Sequence, residues 1–406
     1  MSHRVSILAV GAGSATAVGS RIAGFASGLS ARGWAVDVVD IRRVQVTIPS
    51  PVSGMTDQLA GLLRGMLEKP GVEGDVMPLT GWRARTHMRD IETGIAIVSV
   101  PPFSLLWVAA QTLPPRIPLV MDYRDPWSTR HTPPLLARAT RSLERHAVGR
   151  AAAMTYAGGL RLGELLVSLS GLAPARVVSV PNGHDPADLA RIPPVVPGRE
   201  SGPLDLVFAG YWYGRNGPGI LLDALTRVGP SVATLTIVGG CSPSIQKRFE
   251  HEAGRAPVQR QALPRSALYQ RLSRADAAVI TLDSSNAVES RIPAKTYDYL
   301  AVGVPVIAIC PPEAALVHTP GADRFHHVDH RDIEGLAALL RQAATDRTAL
   351  QPGLPGAGPP RDQATDALHN LLLTVQQDRA RAPRRSRARP RRAPARGRGP
   401  RRRPER

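Results

Sequence analysis

The chain has 406 residues, 43% of them apolar and 4% aromatic, with a formal net charge of +18. That length accommodates two ordinary domains with cores built mainly from Val, Leu, Ile and Ala, and two cysteines exclude a disulfide framework. The charge is lopsided: 14 of the 51 Lys and Arg are arginines in residues 379–406, which hold one acid, leaving 37 basic against 32 acidic side chains in the rest. A spanning helix is not expected, because the uncharged run Ile95–Pro115 is interrupted by Pro101–Pro102 and closed by Pro114–Pro115. VSILAV near the N-terminus is too short for the apolar core of a signal peptide, so a cytosolic chain with reduced, buried thiols at Cys241 and Cys310 is expected.

In chain order, residues 4–9 predict a strand, and GAGSATAVGSR (11–21) a Gly-rich loop. A helix follows with Ile22, Phe25, Ala26 and Leu29 on one face, ending near Gly33, and then a strand over 35–40. This is a Rossmann-type opening, but Gly11-Ala12-Gly13-Ser14-Ala15-Thr16 lacks the third glycine of a dinucleotide fingerprint, although Asp40 ends the second strand where a ribose acid would stand. Residues 45–90 are interrupted by Gly and Pro and give no clear period. IAIVSV (95–100) is a strand, and IPLVMDYRDPWS (117–128) is a strand running into charged and aromatic residues. Charges directly after an apolar strand mark a site, unless Asp122 and Arg124 simply neutralise each other. A helix over 135–150 carries Leu143, Ala147 and Val148 on its apolar face. Strands follow at 151–157 and 177–180, the second entering an Asn-Gly turn with His184, a residue more in keeping with a structural or solvated role than with acid–base work.

PPVVPGRESGP (193–203) reads as an interdomain linker. Beyond it, LDLVFAG (204–210) is a strand meeting Gly210, and the glycines around Arg215 make a phosphate cradle conceivable. Strands at 233–240, 275–282 and 304–309 continue a parallel sheet. Between the last two lies a loop, 283–292, and a short helix opened by Pro293, with Ala294, Tyr297, Leu300 and Ala301 toward the sheet and Gly303 at a left-handed C′ position. Lys295 and Asp298 share a face of its first turn. A cation there suits phosphate and a carboxylate suits a ribose diol, while a solvated surface ion pair is the plainer alternative. His326, His327, Asp329 and His330 match no zinc spacing and read as a strand-to-helix loop, so no metal is expected. ALHNLLLTVQQ (367–377) is the last amphipathic helix, and the Arg/Pro-rich remainder lacks the apolar residues for a core.

The segment IPAKTYDYLAVGVPVIA resembles the donor-site motif of family-4-type glycosyltransferases of the GT-B fold, P-S-K-x-Y-E-Y-L-A-x-G-x-P-V-I-A. DYRDPW (122–127) and PNGHD (181–185) resemble further motifs of that family, in the same order. The resemblance implies an α/β chain with two Rossmann-like domains facing across a cleft. These would be residues 1–192 for acceptor and 204–348 for donor, joined by 193–203. A terminal segment 349–378 would return a helix to the first domain, followed by a disordered basic tail, 379–406. Asp298 stands where the family holds the donor ribose, and Lys295, Gly210 and Arg215 where it holds the diphosphate. The family's second acid falls at Ser290, with Glu289 beside it. Arg124–Asp125 replaces the usual His-Asp next to the reacting sugar, where an Arg stabilises a leaving phosphate but does not act as a base. Gly11, Gly13 and Gly19 would line an acceptor or phosphate loop with Arg21 reaching an anion, and His184 is a further candidate.

The expected activity is metal-independent and cofactor-free transfer, with retention, from a nucleotide-diphosphate sugar to a hydroxyl acceptor, in polysaccharide, glycolipid or specialised-metabolite synthesis. Competing readings are a non-catalytic nucleotide-sugar binder, an NAD(P)-binding oxidoreductase and a nucleotide-sugar epimerase. The arginine tail suits an anionic membrane surface at the inner face or nonspecific nucleic acid, or it serves no role.

Overall fold

The computed structural model describes residues 3–14, 16–41, 78–92, 94–127, 134–185, 190, 192, 195, 202–212, 219–241, 245–247, 258–261, 263, 265–284 and 288–381. Most of the expected 193–203 linker, all of 213–218 and everything from 382 onward lie outside these residues.

The apolar runs of the first half form β1 (Arg4–Ala9), β2 (Ala35–Asp40), β3 (Ile95–Val100), β4 (Leu119–Tyr123), β5 (Ala151–Tyr156) and β6 (Val177–Ser179). They pair in parallel in the order β2-β1-β3-β4-β5-β6. The second half supplies β7 (Leu204–Ala209), β8 (Ala233–Val238), β9 (Val258–Gln261), β10 (Ala277–Thr281), β11 (Val306–Ile309) and β12 (His326–Val328), in the order β12-β11-β10-β7-β8-β9. A parallel sheet must be covered on both faces, which is why β3 and β4 are buried at every position.

The covering helices follow from the connections. In the first half they are α1 (Ala17–Ala31), α2 (Pro78–Arg89), α3 (Ser104–Thr112), α4 (Pro134–Val148) and α5 (Leu160–Ser170). In the second they are α6 (Gly219–Val228), α7 (Arg265–Leu272), α8 (Lys295–Val302), α9 (Ile333–Thr345) and finally α10 (Arg361–Arg381). Strand residues alternate between two cores. Val5, Ile7 and Ala9 pack with Ile22, Phe25 and Leu29 of α1 and Leu368, Leu372 and Val375 of α10. Val98, Met121 and Met154 face Met88, Leu106, Ala147 and Leu166 on the other side. The second sheet packs Leu206 and Ile237 on Leu222 and Leu340, and Val207 and Ile280 on Leu272, Tyr299 and Leu300.

In each sheet the chain reverses its direction of travel once, between β1 and β3 and between β7 and β10. Loops leaving those strand pairs diverge and open a crevice at the carboxyl ends, where such sheets bind ligands. The Gly-rich loop after β1, the exit from β7 and residues 282–284 and 288–294 after β10 all sit at such points.

Several expectations change. His326–Val328 is an edge strand, not part of a loop, and the polar Val258–Gln261 is a strand that alternation alone does not reveal. Leu143, expected on the buried face of α4, is 44% exposed, whereas Ala147 and Val148 are buried. The last helix begins six residues before its expected start and runs to Arg381, so Arg379–Arg381 are helical, with the Arg379 guanidinium donating to the Gly94 carbonyl at 3.1 Å. Cys310 is buried but Cys241 is only half-buried, and both are free thiols. No described helix is long and apolar enough to cross a membrane.

Candidate active site

The loop–helix unit after β10 is anchored from below. Thr296 and Tyr297 close the first turn on the carbonyls of Pro293 and Ala294, and Gly303, at φ 77°, ends α8 by donating to Tyr299 O at 2.9 Å. A proline before the first turn and a left-handed glycine after the last fix an eight-residue helix that would be too short to persist alone. Burial supplies the rest: Tyr297, Tyr299, Leu300, Ala301 and Val302 are each at most 2% exposed, each large apolar side chain worth about 1.5–3 kcal/mol. Ala294, expected to face the sheet, is half-buried. The Tyr299 hydroxyl accepts from Ala209 N at 2.8 Å and reaches Val279 O at 3.4 Å, tying α8 to both strands of the switch point.

This anchoring brings Lys295 to the end of β7. Its Nζ lies 3.2 Å from the Phe208 ring centroid, and Phe208 stacks on Trp212 at 4.1 Å. Gly210, at φ 103°, lies next to the ammonium: a Cβ there would sit 3.8 Å from Nζ. Lys295 and Gly210, far apart in sequence, therefore meet. Desolvation pushes the Lys295 pKa well below its ordinary value, and Asp298 opposes the shift. Asp298, one turn deeper, accepts a hydrogen bond from the Tyr269 hydroxyl of α7 at 2.9 Å. The Lys295–Asp298 arrangement is thus a half-buried, oriented pair of groups.

The first-domain loops are differently employed. Gly11 N and Gly13 N donate to the two carboxylate oxygens of Asp40 at 2.9 and 3.1 Å. Amides that a dinucleotide phosphate would require are thus held by the very acid that a ribose would require. Gly19 is needed for close approach, since a Cβ would fall 1.8 Å from Ser14 O. Arg21, expected to reach an anion, is 2% exposed and fills a buried site instead. Its guanidinium donates to Asp122 at 2.6 and 3.0 Å and to Val180 O at 2.7 Å, while Ser99 and Thr155 each donate to the same carboxylate at 2.7 Å. Desolvation raises the Asp122 pKa, but the Arg21 charge and these hydrogen bonds outweigh it and hold the carboxyl below its usual value. Asp122 and Arg124 do not neutralise each other as the sequence allowed. Arg124 turns to the β3 exit, donating to Val100 O at 3.1 Å and to Pro101 O.

His184 is 3% exposed and bridges by its backbone to Pro360, with Nδ1 lacking a hydrogen-bond partner. Burial, then Arg361, lowers its pKa, so it is held neutral. Arg215 lies outside the described residues. The 288–291 loop lies against the first domain: Gly159 N donates to Ser290 O at 3.0 Å, Glu289 stands 4.0 Å from Arg161, and Arg291 3.8 Å from Asp125. Ser290 is 7% exposed, while Glu289 keeps an exposed side chain. Among the described residues no group of three or more His, Cys, Asp or Glu side chains gathers closely enough to hold a metal ion.

Phe208, Tyr269 and Arg291 are the participants that sequence reasoning missed, because they depend on which elements the fold makes adjacent. Asp40 stood out as an acid at a strand end opposite a Gly-rich loop, but it holds the Gly11 and Gly13 amides and does not await a ribose.

No family model matches the chain, nor does any curated protein. Solved structures do. HepE of Anabaena in complex with UDP is 15% identical over 93% of this chain and 98% of its own, with a TM-score of 0.54. The alpha,alpha-trehalose-phosphate synthase (UDP-forming) from Burkholderia vietnamiensis is 13% identical over 94% and 96%, with a TM-score of 0.53. An alpha-glucosyltransferase in complex with UDP and a 13-mer DNA is 13% identical over 93% and 99%, with a TM-score of 0.51. At such identities the likeness speaks for architecture, and the chain has the GT-B fold of these glycosyltransferases.

Proposed function

We propose that the protein is a glycosyltransferase that moves a sugar from a nucleotide-diphosphate sugar to a hydroxyl acceptor. The observation that carries this reading is the Lys295 ammonium held beside Gly210 at the β7–β10 switch point, with the Asp298 carboxylate one turn deeper on the same helix. A diphosphate seated there meets a cation, the N-terminus of α8 and a backbone without a side chain; a ribose reaches the carboxylate. The fold neighbours crystallised with UDP or UDP-glucose support a UDP-sugar as the first donor to try.

The chemistry is mainly electrostatic. Charge builds on the diphosphate as the glycosidic bond breaks, and Lys295 with the α8 amides offsets it. Asp298 orients the donor. Transfer with retention, without a metal or cofactor, is part of the proposal, as are a cytoplasmic setting and a hexosyl donor. Tight packing of the 288–291 loop on the first domain would exclude the water that otherwise hydrolyses the donor.

A thermal-shift panel of nucleotide sugars and NAD(P) tests this reading. Stabilisation by one nucleotide sugar, diminished in Asp298→Ala, is expected; stabilisation by NAD(P) alone overturns it. A non-catalytic nucleotide-sugar binder is the second reading, favoured by the engagement of Arg124 with the Val100 and Pro101 carbonyls. It predicts donor binding with neither transfer nor hydrolysis in a radiolabelled-sugar assay.

A further inference from the structure

Gly158 and Gly159 lie between β5 and α5, one residue beyond the strand, and neither needs to be glycine for its own backbone. Gly159 has φ −72° and ψ 172°, ordinary extended values, and Gly158 is not among the left-handed glycines of the chain. What excludes a side chain at both positions is the other domain. A Cβ on Gly158 would fall 2.1 Å from the Ser290 carbonyl oxygen, and one on Gly159 would fall 2.6 Å from the Ala315 methyl. Real Cβ atoms do not approach backbone oxygen so closely, and a carbonyl in a pinned loop cannot rotate away as a flexible side chain would. The loop is pinned: Ala315 N donates to Val288 O at 3.0 Å, and Ser290 O accepts from Gly159 N at 3.0 Å. Arg161–Glu289 and Arg291–Asp125 flank that hydrogen bond, one on each side in the sequence of the loop.

We propose that the Gly158–Gly159 turn is a seat that draws the Val288–Arg291 loop onto the first domain, making these two glycines positioning residues for the donor sugar. The proposal rests on the glycosyltransferase reading for the donor, but the seat itself is a property of the two domains. Glu289 and Ser290 lie on this loop and α8 begins four residues beyond it, so the seating of the loop sets where the reactive end of a bound donor faces the Asp125 side of the cleft.

The test uses the full chain and its Gly158→Ala and Gly159→Ala variants, with Gly149→Ala as control because a Cβ there meets nothing closer than 3.4 Å. Three readouts are taken. Small-angle scattering of the free protein should give a larger radius of gyration for both seat variants and an unchanged one for the control. Calorimetric titration with UDP-glucose should show affinity lowered at least about tenfold in the seat variants, as expected of a forced steric overlap. Hydrogen exchange on wild type, followed in a peptide containing Gly159, should show the amide protected, and this readout stands even where a variant does not fold. Equal scattering of wild type and seat variants, or a Gly159 amide exchanging at the rate of an open loop, overturns the proposal. If wild type binds no nucleotide sugar, the donor reading fails, and scattering and exchange still decide the seat.

Discussion

Lys295 keeps its ammonium against the Phe208 ring in a setting that disfavours charge, and this makes its proton a reporter of the site. Its pKa is depressed by desolvation below the ordinary 10.5. Between the depressed value and 10.5 the unfolded chain binds a proton that the folded chain does not, so the contribution of Lys295 to stability falls as pH drops through that window. A bound diphosphate restores the charge, so binding in the same window takes up a proton. Calorimetry with UDP in buffers of different ionisation enthalpy should register that uptake. Lys295→Ala should abolish it and weaken binding by roughly tenfold to a hundredfold, the value of one charge-assisted hydrogen bond. Cys310 gives a second residue-level expectation. Burial pushes its thiol up to about 11, leaving about one thiolate in ten thousand at neutral pH. A thiol reagent should therefore leave Cys310 unmodified in the native protein and titrate both cysteines after denaturation. The Lys295–Asp298 spacing was legible in the sequence, but whether it was a solvated pair or a site was not, because Phe208 and Gly210 come from β7 and its exit and Tyr269 from α7.

At the scale of elements, the first sheet is tied together at its carboxyl edge by Arg21 and Asp122. Asp122 from β4 gathers Arg21 of α1, Ser99 of β3 and Thr155 of β5, and Arg21 adds Val180 beyond β6. Breaking such a pair strands the remaining charge, so Asp122→Ala should cost about 3–5 kcal/mol in denaturant unfolding. Because the folded pKa of Asp122 lies below 3.8, its contribution is present above that value and is lost as pH falls through the folded pKa. Acid unfolding of wild type should therefore be steeper than that of Asp122→Asn. Gly303 makes the matching point in the second sheet. Its φ of 77° suits glycine, and a Cβ would meet Pro355 N at 2.7 Å, so Gly303→Ala should lower the melting temperature by several degrees. The helix stop at Gly303 was readable from residues 302–305 alone. The fate of Arg21 was not: a basic residue after a Gly-rich loop suits an anion as well as a buried acid, and only the convergence of β4 and α1 decides.

At the scale of the molecule, α10 returns the chain to the first domain. Gly24 and Gly28 of α1 leave room for Arg361 and Thr365, and Leu368, Leu371, Leu372 and Val375 enter the first core. The preceding segment is stitched to both halves, with Gly356 N on Ala301 O and His184 O accepting from Arg361 N. Truncation at residue 360 should expose that apolar face and yield an aggregating protein. Truncation at 381, in contrast, should leave the melting temperature unchanged. Removing 382–406 takes away 12 arginines and one acid. If these residues serve an anionic surface, the truncated chain should lose salt-sensitive binding to phosphatidylserine vesicles, measured by co-sedimentation.

The sequence by itself determined the alternation of apolar strands and helices, the break between two α/β halves, the Pro293–Gly303 limits of α8 and the resemblance to GT-B enzymes. These are local properties: periodicity, turn chemistry and contiguous motifs are written in neighbouring residues. The tertiary structure alone decided which charges are spent and which stay available. Arg21 went to Asp122, Arg124 to the Pro101 turn and the Gly11 and Gly13 amides to Asp40, while Lys295 stayed against an aromatic ring beside Gly210. The physical reason is that a charged side chain is satisfied by whatever polar group the packing brings within about 3 Å, and partners 23 to 101 residues away leave no local pattern to read.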